Sequence, residues 1–218
     1  PDWRTMSLIF TSPKGGNGTT VTAASYALLS ALRGQRTVLL DLCGDQPATV
    51  GMSEPHGPGI NDWLSENHHG DSAALLALGS EATSNLLVVH SGSQFISGEP
   101  RWAALADAIS TLPYTVVVDA GVGRLPTVLH DAATKVITVA RPCYLTLRRA
   151  THLPRPVHAY VLEEPGRALT TNDVVQVLGA SLEARIPYEP AIARAVDAGL
   201  LPSRVEQLLG RHITTDTN

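Results

Sequence analysis

The chain has 218 residues, a formal net charge of -4 and an ordinary hydrophobic share of 44%. That length suits one domain with a substantial core, and the acidic balance argues against broad, sequence-blind coating of DNA, which needs a clear positive surface, while leaving room for a local basic patch. The two cysteines suggest no disulfide framework, the first residues do not read as a signal peptide, and no apolar run reaches the length of a membrane span, so a cytoplasmic protein is expected.

Short β-rich apolar runs alternate with helical patterns, which predicts a mostly parallel sheet of about seven strands with helices on both faces. Strands are expected at Leu8–Phe10, Thr37–Leu40, Leu86–His90, Thr115–Asp119, Lys135–Ala140, Val157–Leu162 and Leu182–Ile186. Helices are expected at Thr19–Leu32, Arg101–Thr111, Leu125–Asp131, Tyr144–His152, Thr171–Leu178 and Ala191–Ala198. A last one, Ser203–Leu209, has Ser203 as N-cap with Glu206 three residues on. Gly34 stands where a glycine should end the first helix. The stretch from Gly51 to Ser84 is irregular, with a short helix start near Gly59–Leu64, and no composition break marks a second domain. One domain over 1–218 is expected, with 1–5 and 212–218 as flexible ends.

The most informative segment is Ser12-Pro13-Lys14-Gly15-Gly16-Asn17-Gly18-Thr19-Thr20, between an apolar strand and a small-residue helix. A phosphate-binding loop requires that setting, because backbone N–H groups and a helix N-terminus then face one anion. Glycines allow close approach and positive φ. A plain glycine-rich turn is the bland alternative, but the strand, Lys14, the threonine pair and the helix together point to a phosphate loop.

The loop resembles the deviant Walker A motif of the ParA/MinD ATPases, Lys-Gly-Gly-any-Gly-Lys-Thr/Ser. Lys14, Gly15, Gly16, Gly18 and Thr20 match it, while Thr19 replaces the second lysine. Val38-Leu39-Leu40-Asp41-Leu42 is similar to the family's second motif, Tyr114 to Asp119 to its Walker B strand, and Lys135 to Pro142 to the strand and turn that follow. Ile186-Pro187-Tyr188-Glu189 resembles the late segment near the base pocket. The resemblance implies ATP and Mg²⁺ as ligands. Pro13, Lys14, Gly15, Gly16, Asn17, Gly18, Thr19, Thr20 and Pro187 would line the nucleotide, and Thr20, Asp41 and Asp119 the metal. Lys14 would act across a homodimer.

Three departures stand against these matches. Thr19 removes the loop's phosphate cation. Cys43 falls where the family has the carboxylate that orients the attacking water, with Asp45 two residues on as a substitute. Glu163 falls where many relatives have an adenine-reading Asn. Phosphoryl transfer depends on positioning and electrostatic stabilisation, so a pseudo-ATPase or a very slow one is expected.

The family resemblance implies a positioning or scaffolding protein with a protein partner in an assembly system; members with altered loops, such as the TadZ/CpaE group, suggest pilus, secretion or division machinery. An active ATPase switching between monomer and sandwich dimer, or a partition protein on nonspecific DNA, are the alternatives. The pair His68-His69 reads as a solvated loop, Arg148 and Arg149 as a charged helix face, and Trp63 and Trp102 as core or partner anchors. The last helix lacks the basic face of a membrane-surface helix, and Cys43 reads more readily as a small buried hydrophobe than as a reactive thiol.

Overall fold

In the computed structural model, which describes residues 6–65, 71–92, 100–154 and 157–215, eight strands form one sheet. In chain order the elements are β1 (Ser7–Ser12), α1 (Thr19–Leu32), β2 (Thr37–Asp41), α2 (Gln46–Thr49), α3 (Ile60–Ser65), α4 (Ser72–Ala77), β3 (Ser80–Thr83) and β4 (Leu86–Val89). Then follow α5 (Trp102–Thr111), β5 (Thr115–Val122), α6 (Thr127–Ala132), β6 (Lys135–Ala140), α7 (Tyr144–Ala150), β7 (Val157–Leu162), α8 (Thr171–Leu178), β8 (Ala180–Ile186), α9 (Pro190–Asp197) and α10 (Leu201–Leu209). The strand order is β3-β4-β2-β5-β1-β6-β7-β8. Every pairing is parallel except β3 with β4.

Successive residues of a strand face opposite sides of the sheet, and both sides are dry. Phe10 points to the face covered by α1, α9 and α10, where it meets the rings of Tyr26 and Tyr160 at 5.8 and 5.7 Å. Its neighbour Ile9 points the other way, into a layer built by α3, α4, α5 and α6. A third cluster lies between β7 and helices α7 and α8. This is why the strands read as unbroken apolar runs.

The expected elements are present, with informative differences. The edge strand β3 is added to the seven expected, because Ser80-Glu81-Ala82-Thr83 is polar and carries no apolar run; a polar edge also discourages pairing with another chain. The short helices α2 and α4 lie in stretches with no helical period long enough to read. The last helix starts at Leu201 with Pro202 in its first turn, so Ser203 is not its N-cap; its hydroxyl donates to the Leu200 carbonyl instead. Leu201, Val205 and Leu209 of this helix are buried against α1, which is where its apolar stripe is used. Gly34 does follow α1 with φ 85°. Ile213 is buried, and Thr215 accepts a 2.6 Å hydrogen bond from Arg33, so the chain is packed down as far as Thr215, within the stretch expected to be flexible from 212 on. Trp63 lies in the core with the Arg101 guanidinium 4.8 Å above its ring, while Trp102 packs at the core's edge. His68 and His69 lie outside the described residues.

The turn after α2 meets the turn after α9 backbone to backbone. Gly51 has φ 71°, and a Cβ there would strike the carbonyl oxygen of Gly199. Gly51→Ala should therefore lower stability in urea denaturation by about 1–3 kcal/mol. Gly15→Ala, whose Cβ would meet nothing within 4 Å, should change it by less than about 0.5 kcal/mol.

Candidate phosphate-loop site

β1 lies inside the sheet, flanked by β5 and β6, so its carboxyl end opens where ligands bind in open α/β sheets. The loop from Lys14 to Gly18 runs from that end to α1. Gly16 and Gly18 take φ 78° and 87°, which puts this turn out of reach of most side chains. No side chain caps α1, and the N–H groups of Gly15, Gly16 and Gly18 donate to nothing among the described residues. The first-turn N–H groups of a helix are likewise free. The result is a cradle of donors aimed at one anion.

Asn17 holds the cradle in place. It is buried, and its Nδ2 donates to Ser12 Oγ at 2.8 Å, with longer bonds of 3.4 Å to the Val139 carbonyl and Thr146 Oγ1. The loop is thereby tied to β1, β6 and α7, so Asn17 is an anchor whose side chain faces inward. Pro13 is buried beside it.

Charge in the loop is arranged unusually. Thr19 is buried at 6% exposure and brings no charge to the cradle. Lys14, partly exposed, turns its Nζ back onto the Gly15 carbonyl at 2.7 Å. Thr20 is the second residue of α1, and its side chain approaches the Asp119 carboxylate and helps to lower that group's pKa.

Two buried carboxylates lie beside the loop. Asp41 ends β2 and Asp119 lies in β5, paired in register. Asp41 accepts the N–H groups of Cys43, Gly44 and Gln46 at 2.8–3.0 Å, which closes the turn into α2. Asp119 accepts from Gly121 N–H at 3.0 Å and from Gln46 Nε2 at 2.8 Å. Burial pushes both carboxyl pKa values up and the hydrogen bonds pull them back; the charge of Asp45 adds to the rise at Asp41, and that of Asp41 to the rise at Asp119.

Gln46 is the functional residue that the sequence did not single out. Its Nε2 also donates to the Thr20 carbonyl at 3.0 Å, so one buried amide joins β2's turn, β5 and the start of α1. Both partners of Nε2 are acceptors, which fixes the amide's orientation. Its Oε1 is buried without a partner among the described residues. The only written signal is a Gln just before Pro47, at the first position of a helix too short to recognise.

Asp45 is exposed at the head of α2 and its side chain caps nothing there. Cys43 is exposed too, against the expected burial, although its Sγ lies 3.7 Å from the Asp119 carbonyl. Desolvation, with the charges of Asp119, Asp41 and Asp45, pushes its thiol up to about 12. Cys143 precedes α7 as its N-cap. Burial alone would raise its thiol, but hydrogen bonds from Thr146 and the charges of Lys14 and Arg167 outweigh it, and the net shift is downward.

From Gly18 a cavity of about 230 Å³ runs to the carboxyl end of β8. Leu162, Ile186, Pro187 and Ile192 make apolar walls, and Tyr188 lies at the rim. Flat walls of this kind suit an aromatic ring. Glu163 lines the cavity, but its Oε1 accepts from Thr171 Oγ1 at 2.6 Å and faces Arg185 at 3.8 Å. The structure thus brings the loop, Asp41, Asp119 and Pro187 to one edge of the sheet.

The two thiols provide a test of these surroundings. Iodoacetamide at pH 8 should alkylate Cys143 well before Cys43, read by peptide mass spectrometry, because the thiolate is the nucleophile. Equal rates would contradict the environment described for Cys43.

No protein-family model matches the sequence, and no curated protein sequence matches it. Solved structures do. A ParA family ATPase from Chlorobium tepidum is 18% identical and covers 95% of this chain and 93% of its own, with a TM-score of 0.75. MinD from Pyrococcus horikoshii, complexed with Mg-ADP, is 14% identical over 93% of this chain and 89% of its own, at 0.73. McdA from Cyanothece, in an ATP complex, is 15% identical over 99% of each chain, at 0.66. With its eight-stranded sheet and its loop between β1 and α1, the chain has the P-loop fold of the ParA/MinD ATPases.

Proposed function

We propose that this chain is a ParA/MinD-like positioning or scaffolding protein that binds nucleotide at a degenerate site and hydrolyses it very slowly or not at all. The observation that carries this reading is the loop's missing phosphate cation: Thr19 is buried and neutral, and the one loop lysine, Lys14, is turned onto its own backbone. The donor cradle and the adjoining apolar cavity remain, and they suit a phosphorylated nucleoside such as ATP.

The oxygens at the loop's edge fit a hard cation. The side chains of Thr20 and Asp119 are neighbours, the two residues are joined through Gln46 Nε2, and the partnerless Gln46 Oε1 is a further oxygen there. Thr20 and Asp119 would hold Mg²⁺, which neutralises phosphate charge when bound. Asp41 contributes chiefly by shaping the turn, since three backbone N–H groups already occupy it. The water-orienting role has no carboxylate at Cys43, whose thiol stays protonated at neutral pH. Asp45 is the nearest substitute along the chain.

A homodimer with facing loops is supported by exposed apolar groups at the loop end of the sheet. Val122 closes β5, and Tyr144 and Leu145 open α7, with Tyr144 72% exposed. None of the described helices is long and apolar enough to cross a membrane. The cargo this reading implies is a protein of an assembly machine, such as a pilus, secretion or division system.

Losing a charge-assisted hydrogen bond of about 1.5–3 kcal/mol should weaken ATP binding by roughly ten- to more than a hundredfold. Thr19→Lys should restore affinity in calorimetry while turnover stays low, and adding Cys43→Asp should raise phosphate release. Phosphate release by the wild-type protein should not exceed background. Steady turnover by the wild type would overturn the pseudo-ATPase reading and direct attention to Asp45.

A further inference from the structure

A site that binds triphosphate without a loop cation leaves much negative charge uncompensated, so the residues around the cavity bear on what it can hold. Three carboxylates line it, and each has a partner. Glu163 is bonded to Thr171 and faces Arg185. Glu189 accepts the Ala191 N–H at 2.9 Å. Glu164 accepts two hydrogen bonds from Arg167 on its Oε2, at 2.9 Å from Nε and 2.7 Å from Nη2.

Arg141 is the one cationic residue among those lining the cavity. It touches Glu164 only through a loose 3.8 Å ion contact to Oε2, the oxygen that already accepts both hydrogen bonds from Arg167. No hydrogen bond engages its guanidinium among the described residues, and its side chain is 34% exposed. Its place is set by the backbone. Arg141 follows the last residue of β6, and β6 runs parallel beside β1, with Thr138 opposite Thr11. Asn17 binds the Val139 carbonyl, so the loop is fastened two residues before Arg141. Gly18 and Arg141 consequently border the same cavity.

We propose that Arg141 supplies, from the turn after β6, the positive charge that the loop lacks at Thr19, and that it binds the phosphate groups of a nucleotide whose base enters the apolar cavity. This rests on the nucleotide-binding reading above. A guanidinium suits the task, since its planar fork matches phosphate oxygens and stays charged at every physiological pH. Glu164 holds Arg141 near the cavity without consuming its donors, so little has to be broken when phosphate arrives.

Calorimetric titration of the wild type and variants with ATP and with adenosine tests the assignment. Arg141→Gln should weaken ATP by about tenfold or more and leave adenosine unchanged, while Arg141→Lys should recover part of the loss. Glu164→Gln, which releases Arg141 from its counter-charge, should bind ATP at least as tightly as the wild type. Arg141→Gln binding ATP as tightly as the wild type would overturn the proposal. So would an equal loss for adenosine, which marks a structural role alone. If the wild type binds neither ligand, the nucleotide reading itself fails and takes this proposal with it.

Discussion

Two carboxylates buried side by side on adjacent strands are the costliest feature of this molecule, and much of the site is arranged around them. Asp41 at the end of β2 and Asp119 within β5 lie in register with almost no exposure, and unpaired ions in that position would be prohibitive. The protein compensates with backbone donors and with one amide. Gln46 gives its N–H to Asp41 and its Nε2 to Asp119 and Thr20, so the turn after β2, the Walker B-like strand and the start of α1 form one bonded unit. Breaking any of these bonds would leave a buried charge with fewer donors, which is why the turn, the strand and the helix keep one arrangement.

The phosphate loop is supported from the other side by Asn17, which reaches β6 and α7. With both flanks pinned, the glycines hold their donors outward without a ligand to organise them. Preorganisation of that kind favours binding, because the ordering has been done at folding. Chemistry makes a further demand, since charge that develops at reaction must meet a charge already in place. The loop's one cation, Lys14, is turned back onto the Gly15 carbonyl, Thr19 is neutral, and the neighbouring thiol is held in its neutral form. On the proposed reading, binding and catalysis thus separate physically in one site.

The core strands could be read from the sequence because they are buried on both faces and spell continuous apolar runs, as Leu8-Ile9-Phe10 and Val116-Val117-Val118 do. The loop was legible for a different reason, since the φ values at Gly16 and Gly18 are ones that glycine takes readily and most other residues do not. The edge strand β3 was not, because a polar segment becomes a strand only through its partner β4. Gln46 and Arg141 were hidden for a related reason. Neither residue type signals a role on its own, and each gains one from neighbours far away in sequence: Asp119 and Thr20 for Gln46, and Glu164 with Arg167 for Arg141. Cys43 was misjudged because the turn that presents it is set by hydrogen bonds to Asp41 that no hydrophobic pattern encodes.

A co-crystal structure with a non-hydrolysable ATP analogue and Mg²⁺ tests the central claim most directly, namely that this fold retains a nucleotide cradle whose loop provides no cation. The account predicts phosphates on the N–H groups of Gly16 to Thr20, the base between Leu162 and Pro187, and no loop lysine within hydrogen-bonding distance of a phosphate in its own protomer. Lys14 swung onto the phosphates of its own protomer, or a nucleotide seated away from the loop, would contradict it.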